Sequence, residues 1–157
     1  MKINGWEILL FATFHEQYER LVSRVASLRA KDPSGYRSHP QAKLLAKVQR
    51  VIREDVPQDP QDKKFFVGRA LGSEYANWRR VKNILPPRFR MFFRFSSSSR
   101  EIIFVWMNDE HTLRKEGGKS DVYAEFRKLI KSGKIPNDYA ALIENAQRAH
   151  SIPEKTT

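Results

Sequence analysis

No cysteine occurs in the 157 residues, which excludes disulfides and thiolate zinc sites and suits the reducing cytoplasm, the expected location. Long hydrophobic runs are missing too. The longest apolar stretch, Ile8 to Phe14, falls far short of the ~20 residues that span a bilayer, and Met1-Lys2-Ile3-Asn4 is not a signal peptide. Glycine is scarce, and Gly117-Gly118-Lys119 has neither the spacing nor the preceding strand of a phosphate-binding loop. His15, His39, His111 and His150 show no ligand spacing, and Asp109, Glu110, Glu116 and Asp121 form no recognisable metal cluster. No metal and no other cofactor is expected. Acidic residues are also short: 18 Asp and Glu stand against 29 Lys and Arg, a formal charge of +11. That excess favours a polyanionic partner, through counterion release and long-range steering.

The chain fits one domain over residues 1–150, long enough to bury its own core, with 151–157 as a disordered tail. Trp6 to Phe11 reads as a first strand. Phe11, Phe14, Tyr18, Leu21, Val22, Val25 and Leu28, spaced by threes and fours, then describe an amphipathic helix that stops before Lys31-Asp32-Pro33-Ser34-Gly35. A second helix follows Pro40, carries Leu44, Leu45, Val48, Val51 and Ile52, and ends at Val56-Pro57-Gln58-Asp59-Pro60. Together they predict a helical hairpin.

The period then changes to two. Trp78, Arg80 and Lys82 share one face of a strand. In Arg88 to Phe95, Phe89, Met91, Phe93 and Phe95 form a core face, and Arg88, Arg90, Phe92 and Arg94 the other. Ser96 to Arg100 makes a hairpin loop, and Ile102 to Met107 is apolar on both faces, as a central strand is. Two short helices close the chain, one between Ser120 and Gly133, the other from Asn137-Asp138 through Tyr139, Leu142, Ile143 and Ala146. The order β-α-α-β-β-β-α-α predicts an α+β fold with a mostly antiparallel sheet.

If the Trp78 and Arg88 strands pair, Arg80, Lys82, Arg88, Arg90 and Arg94 gather on one sheet face, with Trp78 and Phe92 among them and Arg79 alongside. Aromatic rings beside guanidinium groups are what unpaired bases stack on, while the cations hold phosphates. Trp6 and Trp106 read as core or rim. His111, at the end of a buried strand after Asp109-Glu110, is the one histidine placed where loop residues often act.

Trp78-Arg79-Arg80-Val81-Lys82, Arg88-Phe89-Arg90-Met91-Phe92-Phe93-Arg94 and Trp106-Met107-Asn108-Asp109-Glu110-His111-Thr112-Leu113-Arg114 resemble the signature of the YhaV toxin family, within the RelE superfamily. Asn4-Gly5-Trp6, Lys31-Asp32-Pro33, Lys43-Leu44-Leu45-Ala46 and Asp121-Val122-Tyr123 are similar to it as well, so the resemblance runs from Asn4 to about Leu142. It implies a RelE-like fold, in which an N-terminal strand and helical hairpin pack on a twisted sheet with C-terminal helices. It implies an mRNA-cleaving endoribonuclease that arrests growth, acting on free RNA or at the ribosome. The implied partner is an antitoxin with an AbrB-like swapped-hairpin DNA-binding domain, and operator DNA is reached only through their complex. Arg80 and Lys82 match the family's basic strand residues, Arg90 the arginine opening the next strand, and Arg114 and Tyr123 the pair from the C-terminal segment.

RNA can be cut without metal by its own 2′-hydroxyl, so the protein need only orient that nucleophile and stabilise the phosphoryl charge. Arg80, Arg90 and Arg114 suit the second task, since guanidinium forks match phosphoryl oxygens at any working pH. Lys82, Glu110, His111 and Tyr123 are the alternatives for moving protons. Two other functions fit the same composition: a gyrase poison of the ParE branch, and a non-catalytic RNA- or ribosome-binding module.

Overall fold

Trp6-Glu7-Ile8-Leu9-Leu10-Phe11 has apolar residues on both sides of its alternation, and in the computed structural model it runs through the middle of the sheet. The structure describes residues 1–108, 122–150 and 152–153. Strand β1 (Lys2–Ile3) folds back on β2 (Trp6–Phe11) through Asn4 and Gly5, both at positive φ (51° and 83°). Two such residues are what a two-residue hairpin turn requires.

Helix α1 (Ala12–Lys31) buries Phe14, Gln17, Tyr18, Leu21 and Val25, the face its spacing selects. Helix α2 (Pro40–Arg50) starts with proline in its first turn and with the His39 ring accepting from the Gln41 N–H at 3.1 Å. The helical run ends within the Val56–Pro60 stretch, as expected. A π-helical turn, Val51–Asp55, carries it into a short α3 (Val56–Gln58), where Pro57 sits in the first turn and needs no N–H donor.

Strands β3 (Arg79–Val81), β4 (Met91–Ser96) and β5 (Glu101–Met107) form a meander, followed by α4 (Val122–Lys131), α5 (Tyr139–Glu144) and β6 (Ala146–Arg148). The sheet order is β1-β2-β5-β4-β3, with β6 also on β2. Among the described strands only the β2–β5 pair is parallel. Ala146, expected on the last helix, lies in β6 instead. There it pairs with Phe11 and helps to fill the part of the β2 edge that the two-residue β1 leaves open. Gly133, at φ 83°, follows the end of α4 as expected, whereas Ser120 lies outside the described residues.

Both faces of the sheet are covered. The α1–α2 hairpin packs on Ile8, Leu10, Phe93, Ile102 and Phe104. On the other face Phe126 and Ile130 of α4 pack against Leu9, Trp78, Phe92, Ile103, Val105 and Trp106. Strand β5 is thus buried on both sides, which its composition predicted. Packing also extends past residue 150, where the sequence reading placed a disordered tail. Ile152 joins the hairpin-side core, and Arg53 donates to the Pro153 carbonyl at 2.9 Å. Among the described residues no helix is long and apolar enough to cross a membrane.

The parallel pairing ends at Leu10 and Phe104, so the end of β5 lacks a neighbour on that side. Gln17 of α1 supplies one: its amide donates to the Met107 carbonyl at 2.6 Å and accepts from the Met107 N–H at 3.1 Å. Gln17→Leu keeps the volume but orphans two buried backbone groups. About 2–4 kcal/mol of stability should be lost, read from the urea midpoint at unchanged slope. A loss below about 0.5 kcal/mol would mean that Met107 finds other partners.

Candidate active site

Asn108, the residue after β5, is 2% exposed and acts as a clamp on the start of β4. Its side-chain oxygen accepts from the Arg90 N–H and its amide donates to the Arg88 carbonyl, each at 2.7 Å. Arg88 is held at φ 76°, a conformation that costs a non-glycine residue energy and that the clamp sustains. The β4–β5 register shifts between Phe92 and Phe93, a bulge of the kind that re-aims side chains at a sheet end.

Arg90 follows this clamp. Its Nη1 donates to the Phe89 carbonyl at 2.8 Å and its Nε to the Tyr123 hydroxyl at 3.3 Å. Arg80 comes from the neighbouring strand, paired with Phe92, and places its guanidinium carbon 5.8 Å from the centre of the Tyr123 ring. Its Nη1 is anchored on the Phe66 carbonyl. Tyr123 itself, in the first turn of α4, stands edge-on to Phe92 at 5.8 Å. Strand β3, the residue before β4 and helix α4 thus bring together Arg80, Arg90 and Tyr123, three of the positions that the family resemblance pointed to. Lys82, just beyond β3, and Arg88 are both exposed beside them. Glu110, His111 and Arg114 lie outside the described residues.

Three other expectations are corrected. Trp78 was a candidate base platform, but it is fully buried. Its Nε1 donates to Asn137 at 2.8 Å, and its ring meets Phe126 edge-on at 4.9 Å. Phe92, placed on an open basic face, is also fully buried, stacked on Phe126 at 4.1 Å. The reason is common to both: α4 covers the face that the arginines seemed to leave to solvent. Arg94 belongs to a separate end of that face. It lies over the rings of Trp78 and Tyr139 (5.1 and 5.8 Å) and donates to the Asn137 carbonyl at 2.7 Å. Burial lowers its pKa, and burial with the Glu101 carboxylate raises that of Tyr139. Arg94 therefore ties down the α4–α5 connection.

Arg79 pairs with Phe93 and takes the opposite side of β3 from Arg80. It donates to the carbonyls of Ala76 and Trp78 and lies 4.6 Å over the ring of Phe66. Phe66 escaped sequence reading, because the stretch between Pro60 and Trp78 has no period. Asn108 escaped as well, since a polar residue ending a strand reads as an exposed turn.

Electrostatically the site is one-sided. Among the described residues none of Arg79, Arg80, Arg90 and Arg94 is paired with a carboxylate; the ion pairs present involve other groups. The Nε atoms of Arg79 and Arg80 are buried without a hydrogen-bond partner. Among the described residues these guanidinium groups are held by backbone carbonyls and rings rather than by carboxylates, an arrangement suited to an anion. No group of three or more His, Asp or Glu side chains that could hold a metal ion gathers among the described residues.

Residues 8–147 match the family Toxin_YhaV, described as toxins with endonuclease activity, of toxin–antitoxin systems. Toxin YhaV of Escherichia coli O6:H1 (strain CFT073) is 40% identical over 150 residues, which cover 95% of this chain and 97% of that protein. Ribonuclease toxin YhaV of Escherichia coli K12 shows the same identity and coverage. No solved structure matches.

Proposed function

The chain belongs to the YhaV family of toxins with endonuclease activity, and on that basis we propose that it cleaves RNA at Arg80, Arg90 and Tyr123. The observation that carries this reading is the convergence of two arginines on one tyrosine, Arg90 at its hydroxyl and Arg80 over its ring, neither of them in an ion pair among the described residues. The 2′-oxygen of the substrate gives its proton to a base and bonds to phosphorus. The 5′-oxygen leaves and takes a proton, so the products end in a 2′,3′-cyclic phosphate and a 5′-hydroxyl. Arg80 and Arg90 hold the phosphoryl oxygens, where fixed donors stabilise charge that develops in the transition state. Tyr123, 3.3 Å from Arg90, carries a proton to or from the reacting oxygens. Lys82, Glu110 and His111 are the other proton carriers, and Arg114 the further phosphate ligand.

The same reading assigns a RelE-like fold, a cytoplasmic location and an AbrB-like antitoxin that neutralises the toxin and brings it to their shared operator. Operator DNA should shift only when both proteins are present.

The test is incubation of the purified protein with RNA in EDTA and mapping of the fragment ends. Fragments with cyclic-phosphate and 5′-hydroxyl ends are expected. Ends carrying a 5′-phosphate would overturn the internal-nucleophile mechanism. Cleavage only with translating ribosomes would make the ribosome part of the substrate, and silence there too would defeat the assignment.

A further inference from the structure

Phe66 is an exposed large hydrophobic residue, at 45%, and it sits among cations. It bridges to Arg79 on β3, the last strand of the sheet order, so it extends the sheet at its open edge. The Arg79 guanidinium lies 4.6 Å from the centre of its ring, and its carbonyl anchors Arg80. Lys63, Lys64 and Arg69 are exposed within three residues of it in the chain. A lone exposed phenylalanine needs no explanation on most surfaces. Here the ring is bonded through its own backbone to a phosphate-gripping arginine, and a second arginine lies against it.

We infer that Phe66 is the stacking platform for an unpaired RNA base, belonging to the nucleotide next to the phosphate that Arg80 holds. An extended RNA strand along the β3 edge meets the Phe66 ring on one side of that strand and Arg80 on the other. The two contacts are coupled, because Arg80 donates to the Phe66 carbonyl. Arg79 against the ring adds cation–π attraction to the stack. Stacking of this kind tolerates every base, since each has a π-face, but it demands that the base be unpaired. Phe66 thereby selects single-stranded RNA over duplex, the role that buried Trp78 and Phe92 cannot perform.

This inference rests on the proposed RNA cleavage, so its test separates binding from turnover. Fluorescence anisotropy with 2′-O-methyl RNA, which has no nucleophile, reads affinity alone. Phe66→Ala should weaken binding of single-stranded RNA roughly tenfold, within the range measured for base–aromatic stacks. Phe66→Trp should restore it, and the deficit should vanish on RNA whose nucleotides lack bases. Phe66→Ala binding within about twofold of the wild type, below what one stacked base contributes, would overturn the platform and leave the RNA reading intact. Absence of binding by the wild type would overturn both.

Discussion

Arg90→Ala should lower RNA cleavage by about 10²–10³-fold, the cost of removing one fixed donor from a developing oxyanion, while the protein stays folded. Arg80→Ala should do the same. The asymmetry between activity and stability follows from their partners. Neither guanidinium is in an ion pair among the described residues, and each is held by a backbone carbonyl and Tyr123. Cutting either away leaves no buried charge behind. Lysine at either position should recover little, because one ammonium cannot both hold its local partner and present a fork to phosphate. The loss should fall on kcat more than on KM, since the interaction strengthens as charge develops. Cleavage assays beside circular dichroism decide the matter, and full activity in a folded Arg80→Ala or Arg90→Ala variant would remove that residue from the site.

Trp78→Ala and Phe92→Ala should each cost about 3–5 kcal/mol of stability and lower the melting temperature by about 10 °C. Residues exposed as base platforms would cost almost nothing. Both rings are fully buried and pack on Phe126, and removal of Trp78 also loses its hydrogen bond to Asn137. Phe92→Leu, which refills most of the space, separates stability from chemistry. It should fold but cleave more slowly, because the ring against which Tyr123 stands edge-on is gone. A melting temperature unchanged in Trp78→Ala would contradict the covered face.

Much of this architecture was legible in the residues. The threes and fours of α1 and α2 and the doubly apolar β5 each encode burial directly. Arg80, Arg90 and Tyr123 were named from the basic strands and the family resemblance, and the fold places them side by side. The second core was not legible, because alternation reports which residues share a face and says nothing of what covers it. Arg90, Phe92 and Arg94 read as a wet face, although Phe92 is fully buried and the two guanidinium groups are drawn to Tyr123 and to the Asn137 carbonyl. The short strand β6 was hidden for another reason. Ala146-Gln147-Arg148 has no strand propensity of its own, and its conformation is imposed by the open edge of β2. The same holds for Asn108, whose role is visible only once Arg88 and Arg90 are folded back beside it.

Strand β2, among the first residues made, takes its parallel partner from Glu101–Met107 and an outer partner from Ala146–Arg148. A chain growing from its N-terminus cannot complete this sheet until nearly all of it has been synthesised. Pairings between distant segments also form slowly once both halves exist. The sheet that carries Arg80 and Arg90 is therefore complete only after residues 146–148 have been made. The order of the strands sets an interval between translation and toxicity, during which a protein made alongside can reach the nascent toxin before it is armed.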